Sequence, residues 1–203
     1  NSQAPDIVSL LEVTPQSLPQ LQSGLSGYKL LIAEPRTNSH GSAWFVTQQP
    51  SSPISVKGAE LIHLPSTSDR PLLSATIAYA NKTISMLCFH AIRPRNAATV
   101  RFQLFEFSAL AGWSRNLLKS GQRYVIVIGD FNSTPWYGPF RLLLHESRLL
   151  NSQDGFGLQP TWHSSLPPVL RIPIDHCLHS PSLVTIRRSI GPNVGSDHLP
   201  LLV

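Results

Sequence analysis

At 203 residues, 41% of them hydrophobic, the chain is long enough for one sizeable core. It holds no apolar run near the roughly 20 residues that a bilayer crossing needs. Sixteen basic residues against 11 acidic ones leave a net charge of +5, yet charged residues are 13% of the chain and form no dense basic block. A mild preference for anions is the most that charge supports.

Taken in chain order, Asp6 to Leu11 reads as a strand that runs into one carboxylate, Glu12. Thr14 can cap a short helix from Pro15 to Leu25. Strands follow at Tyr28 to Ala33 and Ser42 to Thr47, with Pro50-Ser51-Ser52-Pro53 as a loop. Leu72 to Tyr79 and Thr83 to Phe89 flank Asn81-Lys82, the pattern of an antiparallel hairpin, and the second run ends in His90. Arg93 and Arg95 come directly after that histidine and are the best-placed cations for phosphate contact.

The longest helix is expected over Asn96 to Lys119, where Val100, Leu104, Phe107 and Ala111 recur at three- and four-residue steps. Gly121 stops it. Tyr124 to Ile128 then reads as a strand covered on both faces, because four apolar residues run on without alternation. Gly129 ends that run and the chain presents Asp130 and Asn132, two residues apart. Extended geometry places such side chains on one face, about 7 Å apart. By itself the pair is weak, since Asp and Asn also make turns.

A second helix spans Gly138 to Ser147. Ser164 to Pro168 reads as a loop, and Trp162 with His163 sits just ahead of it. Trp162 suits either stacking on a base or apolar group, or packing on the core. Strands return at Ile174 to His179, Leu183 to Arg188 and His198 to Val203. The first carries Asp175, with His176 turned to the opposite face by alternation. Gly195-Ser196-Asp197-His198 precedes the last. Cys88 and Cys177 lack metal-ligand spacing and read as buried thiols, a disulfide requiring their strands to abut. Hairpins mixed with helical crossovers imply mixed sheets within one domain.

Acidic residues number only 11, and Glu12, Asp130, Asp175 and Asp197 all stand at the edges of apolar strands. Charged groups in such places are usually paired, metal-bound or catalytic. The order Glu12, His90, Gly129-Asp130-Phe131-Asn132, Ile174-Asp175-His176, Ser196-Asp197-His198 resembles the endonuclease/exonuclease/phosphatase (deoxyribonuclease I-like) superfamily along essentially the whole chain. Gly155-Phe156-Gly157-Leu158-Gln159-Pro160-Thr161-Trp162 further resembles a bacterial branch whose parent proteins often carry membrane helices. By that resemblance an extracytoplasmic or membrane-tethered setting is expected.

The resemblance implies an α/β (α+β) four-layer sandwich, two packed mixed sheets flanked by helices, with the site in loops at one end. It implies hydrolysis of phosphodiester or phosphomonoester bonds by in-line attack of water, with Mg²⁺ as cofactor and Mn²⁺ or Ca²⁺ as substitutes. The same site serves DNA, RNA, phospholipid and inositol phosphates across the superfamily, so the resemblance implies a phosphate-ester substrate, nucleic acid or phospholipid among them, without choosing one. Glu12 is the expected metal ligand and Asp197 a second one. Asp130 would orient or deprotonate water, Asn132 would donate to a nonbridging oxygen, and Asp175 would hold the ring of His198 against the phosphate. His90 matches the histidine of deoxyribonuclease I and the sphingomyelinases, where abasic-site nucleases have tyrosine. Arg93, Arg95 and Trp162 would contact substrate.

Family members begin with a further strand and helix, the strand bearing an asparagine that Asn1 is too close to the first strand to supply. The chain is therefore expected to be truncated, with weakened or absent activity and either an exposed sheet position or an intermolecular contact filling the gap. A noncatalytic relative that binds nucleic acid or phospholipid is the competing expectation.

Overall fold

A computed structural model describes residues 4–203, so the reading of Asn1 lies outside the described residues. Two compact units are distinguished, Asn1–Cys88 and Phe89–Val203.

In the first unit, Ser42–Thr47 (β3) lies between Ile7–Leu11 (β1) and Tyr28–Glu34 (β2), antiparallel to both. Helix α1 (Ser17–Gly24) packs on this sheet through Leu18 and Leu21, against a core of Val13, Ala43 and Phe45. The helix starts two residues later than expected, but Thr14 still caps the turn. Its hydroxyl accepts from the Ser17 N–H at 3.0 Å, and the Ser17 hydroxyl accepts from the Thr14 N–H at 2.9 Å.

Ile54–His63 (β4), Pro71–Tyr79 (β5) and Lys82–His90 (β6) form an antiparallel meander. The hairpin loop is Ala80-Asn81 rather than Asn81-Lys82, because Tyr79 pairs with Lys82 and Ala80 takes the left-handed conformation (φ 52°). Strand β4 has no counterpart in the sequence reading. It lies mostly exposed beside β5, and the alternation that Ile54 and Val56 begin is broken by a register shift between Val56 and Gly58.

In the second unit, Asp175–His179 (β9) lies between Tyr124–Asp130 (β7) and Leu150–Asn151 (β8), antiparallel to both. Helices α2 (Ala97–Lys119) and α3 (Gly138–Ser147) pack together and bury Phe107 and Phe140. Asn96 accepts from the Ala98 and Thr99 N–H groups while Thr99 accepts from the Asn96 N–H, a reciprocal cap that starts α2 one residue after the expected position. Phe89, Phe107, Phe131 and Phe140 form an aromatic cluster of tilted and edge-on pairs, the contacting rings 5.1–6.4 Å apart between centroids.

Val125 and Val127 are fully buried, whereas Ile126 and Ile128 are half-buried, so β7 has one sealed face rather than two. Ser189–Ile190 (β10) and Leu201–Leu202 (β11) make a short ribbon. The strand expected over Leu183 to Arg188 is irregular, with Val184 and Ile186 in solvent. Its β-branched residues satisfy strand propensity, but β pairing begins only at Ser189. Cys88 and Cys177 are free buried thiols. Among the described residues no helix is long and apolar enough to cross a membrane.

Candidate active site

The second unit gathers most of the singled-out side chains. β7 delivers Asp130 as its last residue. Gly129 does not end the strand. It stands one residue earlier at φ 148°, where a Cβ would lie 1.9 Å from the Phe89 carbonyl oxygen. Glycine thus lets the segments 89–91 and 129–130 approach, and the Ala91 N–H donates to the Asp130 carbonyl at 2.9 Å. That approach brings His90, the last residue of β6, to Asp130: His90 Nε2 is 3.8 Å from Asp130 Oδ2.

Asp130 and Asn132 do not share an extended face. Asn132 is left-handed (φ 46°), and its N–H donates to Asp130 Oδ1 at 2.6 Å. The chain has turned at Phe131, a bend that Asp followed by Asn favours. The Asn132 side chain instead donates to the Ala91 carbonyl at 2.9 Å and accepts from Arg93 Nε at 3.4 Å. One of its two N–H bonds remains for a ligand.

From β9, Asp175 accepts from or shares a proton with His198 Nδ1 at 2.8 Å, and His198 Nε2 lies 3.9 Å from Asp130 Oδ2. Asp130 therefore faces two imidazoles, His90 and His198. His176 points the other way: its Nε2 meets the Ser133 carbonyl at 2.8 Å and its ring packs on Phe140, 4.4 Å between centroids. Burial holds His176 down at about 4, so it is a neutral core group.

Electrostatics sort the pair at the centre. Burial and the neighbouring Asp175 charge push the Asp130 carboxyl up to about 7, against the hydrogen bond from Asn132 and the charges of His198 and Arg93. Burial opposes charge on His198, but the hydrogen bond to Asp175 and the charges of Asp175, Asp130 and Asp197 outweigh it and raise it to about 9. A carboxyl that titrates near neutrality beside an imidazolium is a base–acid combination. Asp130, Asp175 and His198 can also each offer one ligand atom to a cation, all within 4.8 Å of one another. Two carboxylate oxygens and one imidazole nitrogen form a donor set that fits a divalent metal.

Asp197 is exposed, and its Oδ2 accepts from Trp162 Nε1 at 3.2 Å. Trp162 pairs by backbone bridges with Ile172 and His198, so its loop is tied to the His198 segment. The Ser164 N–H adds a 2.7 Å bond to the Asp197 carbonyl. Arg93 lies over the Trp162 ring, 5.5 Å from its centroid, while Arg95 is exposed and its side chain joins none of these contacts.

Glu12 stands in the first unit, exposed, just after β1. Its backbone is left-handed (φ 57°), unusual for glutamate, and is followed by tight packing. Val13 donates to the Gly41 carbonyl and accepts from the Arg36 N–H, and a Cβ on Gly41 would collide with the Val13 oxygen.

Sequence reading missed Gln103. It is fully buried on α2, and its Nε2 donates to the carbonyls of Ile92 (3.0 Å), Phe131 (3.3 Å) and Asn132 (3.3 Å). One turn on, Glu106 Oε2 accepts from the Ile92 N–H at 2.8 Å. These two residues brace the loops behind His90 and Asp130. The one signal in the sequence was a polar pair on the apolar stripe of a long helix.

The chain matches the Endonuclease/Exonuclease/phosphatase family over residues 1–198 and belongs to it. A crystal structure of D. rerio TDP2 complexed with single-strand DNA product is 16% identical, with a TM-score of 0.72 over 97% of this chain and 84% of that one. The endonuclease/exonuclease/phosphatase from Bacteroides vulgatus is 17% identical, with a TM-score of 0.75 over 97% and 82%. A Bacteroides thetaiotaomicron mannosyl-6-phosphatase is 15% identical, with a TM-score of 0.70 over 97% and 83%. At these identities the likeness establishes the α+β, deoxyribonuclease I-like fold. No curated protein matches the sequence.

Proposed function

We propose that this chain is a divalent-metal-dependent phosphoesterase that cleaves a phosphodiester or phosphomonoester by in-line attack of water. The observation that carries the reading is Asp130 held between His90 and His198, with Asp175 behind His198. Asp130, poised near neutrality, takes a proton from the attacking water. His198, kept charged by Asp175, holds a nonbridging oxygen of the phosphate and stabilises the charge that develops there. The remaining N–H of Asn132 donates to the same group, and His90 stands on the other side of Asp130 to protonate or clamp an ester oxygen. Arg93, over the Trp162 ring, adds a cation for the phosphate, and the exposed Arg95 a second.

On the family resemblance Glu12 is a proposed Mg²⁺ ligand and Asp197 a candidate for a second, each a hard carboxylate of the kind that ion takes alongside water and phosphate oxygens. Mn²⁺ or Ca²⁺ would substitute. The cation would supply neutralising charge on the scissile phosphate and its departing oxygen. The Asp130–Asp175–His198 group is reserved for proton handling, since His198 already provides its countercharge. Nucleic acid or phospholipid is the proposed substrate class, resting on resemblance rather than on the site.

The test is a Mg²⁺ titration with bis-nitrophenyl phosphate, plasmid DNA and sphingomyelin in parallel. Metal-dependent turnover of one of them supports the reading. Binding of these ligands without turnover at any metal concentration would replace it with a noncatalytic role.

A further inference from the structure

Trp162 is an aromatic beside a phosphate-handling site, and its obvious use is as a stacking surface for substrate. Its surroundings give it a different one. One face of the indole already carries the Arg93 guanidinium, 5.5 Å from the ring centroid. Its edge is also committed, since Nε1 donates to Asp197 at 3.2 Å. Arg93 in turn reaches Asn132 through Nε at 3.4 Å. The ring thus lies between an arginine and an aspartate that flank the candidate centre, and it is tied by backbone bridges to His198 and Ile172.

From this juxtaposition we infer that Trp162 is a positioning residue. It holds Arg93 as a preset, two-pronged receptor for the phosphate of the substrate, and recognition at this point is by phosphate charge rather than by stacking on a base. The inference rests on the phosphoesterase reading above and deepens it.

The physical argument has three parts. A guanidinium over an indole face is attracted by the ring quadrupole and loses side-chain freedom before any ligand arrives. With Nε directed at Asn132, the two Nη groups project away from that bond, the fork that matches two phosphate oxygens. A base or other planar group that took the occupied indole face would have to displace Arg93, and so lose the cation that recognises its own phosphate.

A double-mutant cycle tests this on the full chain, read by calorimetric binding of inorganic phosphate in the presence of Mg²⁺ and by KM for bis-nitrophenyl phosphate. Arg93→Gln should weaken phosphate binding about tenfold, the loss of one charge-assisted pair. Trp162→Leu should weaken it by a similar factor, and the double variant should be no weaker than Arg93→Gln alone, because both changes remove the same contact. Trp162→Phe keeps an aromatic face and should recover most of what Trp162→Leu loses, which a general loss of fold would not allow.

Losses that multiply to about a hundredfold in the double variant would overturn the inference, as independent stacking by Trp162 requires. So would unchanged binding in Trp162→Leu. Wild-type protein that binds no phosphate with Mg²⁺ present would overturn the phosphoesterase reading itself, an outcome distinct from either of these.

Discussion

Asp130 carries the sharpest single-residue consequences, because the features that suit it to catalysis weigh against the fold. Its carboxyl is raised from an ordinary 3.8 to about 7, chiefly by burial. The ionised form is therefore disfavoured in the folded chain, and the cost grows as pH rises from the unfolded value to about 7. Asp130→Asn keeps an oxygen to accept from the Asn132 N–H and removes the charge. The variant should melt higher than wild type at pH 8 and no higher at pH 4, while turnover falls by about 10²-fold or more. A lower melting point at pH 8 would show that the buried charge is compensated. His198 has the opposite sign: its raised value means that its charge contributes stability fully below the unfolded value near 6.5, lost as pH climbs through about 9. A base that must be ionised and an acid that must stay charged give a bell. We expect kcat/KM to rise through about pH 7 and to fall through about pH 9. A profile flat across that span would remove both groups from the chemistry.

At the scale of elements, two features fix the site, and they differ in how openly the sequence shows them. The end of β7 depends on Gly129, whose missing side chain admits the Phe89 carbonyl. Gly129→Ala should destabilise the chain by about 2–4 kcal/mol through overpacking and a backbone that alanine resists. Chemical denaturation reads this directly, and a loss under about 0.5 kcal/mol would mean that the strands separate freely. Helix α2 braces the loops from behind. Gln103→Leu leaves three carbonyls without their donor and should cost about 2–3 kcal/mol, measured the same way, with near-neutrality counting against the brace. The α2 and α3 helices were legible because a cap or proline begins each and an apolar stripe continues it. The β1, β3 and β6 strands were legible from apolar runs. Strand β4 was not, since most of it faces solvent and its alternation stops at the bulge after Val56. The 183–188 segment misled for the converse reason: strand-like composition, with Val184 and Ile186 left in water. Asn132 was assigned the right neighbourhood and the wrong geometry, because a turn at Phe131 replaced the extended spacing.

For the whole molecule, motif order pointed to the family that the match over residues 1–198 shows, although the solved structures of like fold are only 15–17% identical. The resemblance carried by that motif order implied that Asp175 and His198 belong to one site. It could not say that Trp162 would face Arg93 and Asp197, since those residues lie on three separated segments and meet only through tertiary packing. Substrate identity stays outside both, because it depends on surfaces around the centre rather than on the centre. The central claim is that Asp130 and His198 together drive metal-dependent phosphoester hydrolysis. Its most direct test is the rate of bis-nitrophenyl phosphate hydrolysis by wild type, Asp130→Asn and His198→Ala, each with Mg²⁺ and again with a chelator. We predict turnover by wild type with Mg²⁺ alone, and loss of at least about 10²-fold in each variant despite a native melting transition. Wild-type rates in either folded variant, or hydrolysis indifferent to the chelator, would contradict it.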